Sequence, residues 1–114
     1  MYLLMSSRSI VDGNEPEDST LGIVNVLGQF EKISQCVDAA IEDMDRIMKE
    51  KADMCIDTDD IEGYEKYLES FYQEIVHEDL LNFDKEINGQ AYLGELEQNI
   101  DDCIDQVDYF VYKI

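Results

Sequence analysis

Residues 90–114 read QAYLGELEQNIDDCIDQVDYFVYKI, and whether that run is helix or strand decides the fold. Leu93, Leu96, Ile100, Cys103, Val107, Phe110 and Ile114 recur at alternating steps of three and four. That is the spacing of an amphipathic helical seam, and it predicts a helix over 90–112. The tail from Tyr109 onward, YFVYKI, is rich in strand-forming residues. It leaves as an alternative a small two-stranded pairing of the termini, with residues 1–5 (MYLLM) as the other strand.

Upstream lies the longest helical pattern in the chain. Val26, Ile33, Ala40, Ile47 and Met54 fall seven apart, as do Phe30, Val37 and Met44, and Ile41, Met48 and Cys55. Three adjacent apolar columns predict a helix over 20–56, regular from residue 29, with one broad face to bury. Gly22 and Gly28 weaken helix at its start. Glu42 with Arg46 and Asp45 with Lys49 are acid-before-base pairs at i,i+4. On this reading Val37, Ile41 and Met44 are core, and their replacement by Ala lowers stability.

Residues 1–19 read as an extended arm followed by a loop, with Asp12-Gly13, Asn14 and the single Pro16 as turn residues. A second helix is expected over 58–87. Asp59, Asp60 and Glu62 stand in its first turn, and its apolar register slips near residues 77–79, where a kink is expected. Asn88-Gly89 closes it. The fold class expected is therefore all-α: one domain over 1–114, a small antiparallel bundle of three or four helices with an N-terminal arm.

Composition bounds function more firmly than fold. The chain has 114 residues, 45% of them apolar, so one ordinary core is within reach. Its 28 acids and 8 bases give a net charge of −20, beyond the magnitude of about 2 to 8 that suits a small domain. Such a charge repels nucleic acid and anionic membranes and attracts basic proteins. Residues 1–56 hold 11 acids and 5 bases, net −6, whereas residues 57–114 hold 17 acids and 3 bases, net −14. The three cysteines, Cys36, Cys55 and Cys103, are too widely spaced for a CxxC element and read as reduced thiols in the packing. No apolar run reaches spanning length, and a cytoplasmic location is expected.

No catalytic motif stands out. Glu74-Ile-Val-His77 has the i,i+3 spacing of a helical metal ligand pair, but His77 is the single histidine, so a second such element is missing. Residues 58–69, TDDIEGYEKYLE, depart from a calcium loop at the first and eighth places. There is no Gly-rich phosphate cradle. No enzyme activity, cofactor or metal is expected.

The expected function is a non-catalytic acidic inhibitor, DNA-mimic-like, that covers the basic nucleic-acid-binding surface of a partner enzyme or complex without touching nucleic acid itself. Phage antagonists of restriction and CRISPR nucleases share this short acidic profile, an analogy from composition alone. The residues expected to carry binding are Glu62, Glu65 and Glu69 on the second helix, and Glu95, Glu97, Asp101, Asp102, Asp105 and Asp108 on the third. On a helix Glu97, Asp101 and Asp105 follow at i,i+4, a repulsive arrangement that a fold selected only for stability avoids. Neutralising Asp101, Asp105 and Asp108 is then expected to weaken binding and leave the helix intact or firmer. An immunity or antitoxin-like protein, or an adaptor chaperone for a basic toxin or secreted partner, is the alternative. A helical subunit that assembles with itself, for instance as a homodimer, is the third.

Overall fold

The computed structural model describes residues 1–12, 20–55, 59–83, 89–100 and 103–114. Its architecture overturns the all-α expectation. Among the described residues five strands form one antiparallel sheet in the order β2-β1-β5-β4-β3. The strands are β1 (Tyr2–Asp12), β2 (Thr20–Phe30), β3 (Phe71–Ile75), β4 (Gln90–Ile100) and β5 (Cys103–Lys113). Two helices, α1 (Ile33–Cys55) and α2 (Ile61–Glu69), lie on one side of it.

The predicted third helix is the β4–β5 hairpin, paired from Gln90 with Tyr112 to Ile100 with Cys103. On β5 the burial alternates strictly, with Asp105, Val107, Tyr109 and Val111 buried and their neighbours less so. That is a period of two. On β4 the same period is broken by a bulge between Tyr92 and Gly94. Ala91 and Leu93 are buried before it, Leu96 and Gln98 after it. The bulge moves the buried parity from odd to even, and Leu93, Leu96 and Ile100 thereby acquire helix-like steps. Gly94 also allows β3 to come close, because a Cβ there would collide with the Glu74 carbonyl oxygen.

The N-terminal arm is likewise a strand. β1 pairs with β5 over its whole length, Tyr2 with Lys113 through Asp12 with Cys103, and with β2 on its other side. The terminal pairing considered as an alternative is thus part of a larger sheet. The predicted helix over 20–56 is shorter, because residues 20–30 are β2; Ile23, Val24 and Val26 are β-branched and prefer extended backbone. α1 begins after it, and the Gln35 carboxamide oxygen accepts from the Glu31 and Lys32 amides at 3.2 and 3.1 Å, satisfying N–H groups at the helix start.

The predicted helix over 58–87 divides. α2 occupies its start, where Asp60 accepts from the Gly63 amide at 3.1 Å as an N-cap. β3 follows, then a 3-10 turn at Glu78–Leu80. The helix expected to kink at 77–79 is absent there, β3 having replaced it, and the turn has His77 Nδ1 accepting from the Asp79 amide at 3.3 Å. Residues 84–88 lie outside the described chain.

Cys36, Ala40, Met44 and Ile47 of α1 pack on Leu4, Leu93, Leu96, Val107, Tyr109 and Val111 of the sheet. The buried stripe is narrower than three columns. Ile41 is 40% exposed and Met54 84% exposed. Ile41→Ala is accordingly expected to cost under about 1 kcal/mol, as for a surface site, which a urea titration would read directly. Cys36 is buried and free, and burial pushes its thiol pKa up. Cys103 is free and half-buried, and the Cys55 side chain lies outside the described atoms. Arg46 pairs with Asp43 and Glu50 rather than with Glu42.

Candidate binding surface on the open face of the sheet

A five-stranded sheet with helices on one side leaves its other face to solvent. Pairing register fixes which side chains share that face. Glu74 stands opposite Glu95, and Glu95 opposite Asp108, so three carboxylates run in one row across β3, β4 and β5. Glu97 lies two residues along β4, flanked by Tyr72 and Gln106. The patch therefore has a spacing of about 4.8 Å across the strands and about 7 Å along them. Among the described strand residues this face carries no Lys or Arg.

Hydrogen bonds hold the row in place. Tyr92 Oη donates between Glu95 Oε2 at 3.2 Å and Asp108 Oδ1 at 3.4 Å. The Gln106 carboxamide nitrogen reaches the same two oxygens at 3.3 and 3.2 Å. Tyr72 Oη donates to Glu74 Oε2 at 3.0 Å. Both tyrosines resist ionisation. Burial and then the charges of Glu95 and Asp108 push Tyr92 well up, while the hydrogen bond to Glu74 and its charge raise Tyr72. The Tyr92 ring meets Phe110 edge to face at 5.7 Å, which steadies the phenol over the acids.

The nine residues singled out by sequence fall into separate places. Glu95, Glu97 and Asp108 are on this open face. Glu62, Glu65 and Glu69 are exposed on α2, which packs over the opposite side, where Tyr67 Oη donates to Gln98 Oε1 at 3.5 Å. Asp101 and Asp102 lie outside the described residues. Asp105 points into the helix layer with only 4% of its side chain exposed. Arg8 grips both its oxygens, at 3.1 and 2.8 Å, and Lys51 Nζ stands 2.5 Å away. Burial pushes the Asp105 pKa up, but the hydrogen bonds and charges of Arg8 and Lys51 outweigh it and hold the group below its ordinary 3.8.

Tyr72 and Tyr92, tyrosines that lie among the acids in the sequence, complete the patch together with Glu74 and Gln106, which the sequence does not single out for it. Glu74 drew notice only for its spacing to His77, which loses its meaning once β3 is a strand. The signal that could have found Glu74 and Gln106 is the period of two in YQE (72–74) and in IDQVDYFV (104–111), read as strands. Among the described residues no group of three or more His, Cys, Asp or Glu is arranged to hold a metal ion, and no helix is long and apolar enough to cross a membrane. Searches against protein-family models, curated proteins and solved structures find no match for this chain.

Proposed function

We propose that this chain is a non-catalytic binding protein whose open sheet face docks on the basic, nucleic-acid-binding surface of a partner protein and occludes it. The observation that carries this reading is the row Glu74–Glu95–Asp108 on an uncovered face without basic counter-charges among its described strand residues. Like charges directly opposite one another weaken a sheet by roughly 0.2–1 kcal/mol a pair. A Lys at any of these places would relieve that, so their retention favours a surface selected for its field. Tyr72 and Tyr92 are 53% and 40% exposed and add stiff contact area of the kind enriched at interfaces. The work of such an inhibitor, of the phage anti-restriction or anti-CRISPR kind, lies in the cytoplasm.

The test is capture from host cytoplasm at low and high salt with the wild type and with the variant Glu95→Gln, Glu97→Gln, Asp108→Asn. The partner identified is then purified and titrated in competition with DNA. The expected result is a partner retained at low salt, released at high salt, displaced by DNA, and bound at least about tenfold more weakly by the variant, that is by about 1.4 kcal/mol. Urea titration should find the variant as stable as wild type or slightly more so. A variant that retains the same protein with unchanged affinity rules out the open face. A captured basic toxin that DNA does not displace would favour the immunity-like reading instead.

A further inference from the structure

Residues 22–28 read GIVNVLG. Asn25 is the midpoint of β2, and the sequence is nearly palindromic about it. Val24 and Val26, Ile23 and Leu27, and Gly22 and Gly28 stand in pairs at equal distance from Asn25. β2 is also an edge strand: among the described residues only β1 lies beside it in the sheet. Its middle is uncovered on both faces: Val24 and Val26 are 58% and 63% exposed on the open side, Ile23 43% exposed on the other, and Asn25 is exposed too. Natural edges are usually blunted by charge or proline. Residues 20–30 hold neither, in a chain that carries 28 acids.

We propose that two copies of the chain pair through β2, antiparallel about a twofold axis at Asn25, so that their sheets join into one of ten strands. Three features select a second copy over another occupant. Isologous pairing demands a self-complementary surface, and the palindrome sets Val24 against the partner's Val26 on either side of Asn25, within the regularly paired stretch Ile23–Val26. A strand from an unrelated protein would need no such symmetry. Two chains of net charge −20 can approach only where charge is absent, and β2 is a long strand with none. A basic strand, finally, would find no carboxylate on β2 to recognise.

An axis perpendicular to the sheet keeps both open faces on the same side. The carboxylate patches on β3–β5 then sit at the two ends of the joined sheet, with their β5 strands five strand spacings apart, about 24 Å. This proposal does not depend on what those patches bind.

Sedimentation equilibrium of the full chain tests it, from about 1 to 200 µM and at about 0.1 and 0.5 M salt. The expected result is a rise from 13.2 kDa toward twice that mass with concentration, favoured by the higher salt because it screens the repulsion between copies. Val24→Glu with Val26→Glu places carboxylates opposite each other across the axis and should weaken the dimer at least about tenfold. Both sites are exposed, so the circular dichroism spectrum should be unchanged. A second route does not rely on that variant folding. Asn25→Cys should be joined by a short bis-maleimide into a covalent dimer well above the wild-type background, whereas exposed Asn99→Cys on β4 should not. A chain that stays monomeric throughout overturns the proposal. So does a dimer indifferent to both β2 variants.

Discussion

Asp105→Ala is expected to destabilise the fold by about 3 kcal/mol in urea titration. Two opposed effects meet at this residue. Removing one acid from a chain of net charge −20 relieves general repulsion, and the helical reading, in which Asp105 sits in an acidic row, expects neutralisation to be harmless or helpful. The structure points the other way. The carboxylate is nearly inaccessible and joins Arg8 of β1 to Lys51 of α1. Deleting it leaves two cations facing each other at the helix–sheet interface. Breaking a buried ion pair by removing one partner costs about 3–5 kcal/mol. The lower end applies here because Arg8 and Lys51 each keep 25% of their side chain exposed and can turn toward water. Long-range repulsion across a Debye length of about 10 Å is too screened to compensate.

The same group makes a prediction about pH. Its folded pKa is depressed, so its contribution is present above its ordinary 3.8 and is lost as pH falls through the lower folded value. The stability difference between wild type and Asp105→Ala should therefore be constant near neutrality and shrink below about pH 4. A difference that persists undiminished at lower pH would mean that the ion pairs are not its source.

Tyr109→Ala is expected to cost about 3–5 kcal/mol, as for other large aromatic truncations. Tyr109 is fully buried among the residues that join α1 to the sheet, and its hydroxyl donates to Asp43 Oδ2 at 2.7 Å. Tyr109→Phe keeps the ring and removes the hydroxyl. It should cost about 1.5–3 kcal/mol, since the acceptor is a carboxylate, and less if Arg46, which already pairs with Asp43 at 2.7 Å, takes up the freed oxygen. A Phe variant as damaging as the Ala variant would shift the weight from packing to the hydrogen bond. Burial and then the Asp43 hydrogen bond push the phenol's pKa far up. Its contribution is whole below the ordinary 10.0 and fades as pH rises beyond it, because the unfolded phenol ionises first. Neither Tyr109 variant has that phenol, so each should lie closer to wild type above pH 10 than at neutrality.

Much of the core was legible and yet assembled wrongly. Ala40, Met44 and Ile47 face inward as the helical columns require, because α1 is a true helix against a sheet. Leu93, Leu96 and Val107 are apolar anchors, as the seam requires, but they sit on two strands. Steps of three and four arise from a helix, and equally from a strand whose alternation is shifted by a bulge. The bulge at Tyr92–Gly94 is invisible to periodicity because it is defined by the partner strand. The acidic site shows the same division. Glu95 and Asp108 were in view, and so was the repulsion between acids. Their true neighbours, each other and Glu74, lie on other strands.

By itself the sequence determined the charge of −20, its concentration in the second half of the chain, the neutrality of residues 20–30 and the presence of a helix within residues 20–56, whose start at Ile33 the structure set. These are sums over residues or patterns within one turn of chain, so no distant contact is needed to fix them. Only the tertiary structure decided that residues 2–12 and 103–113 run side by side, that Glu95 faces solvent while Asp105 is locked against Arg8, and that one face of the sheet is left open. Strand pairing joins residues as much as 111 positions apart, as Tyr2 with Lys113. Which acid is surface and which is structure follows from the parity that this pairing imposes.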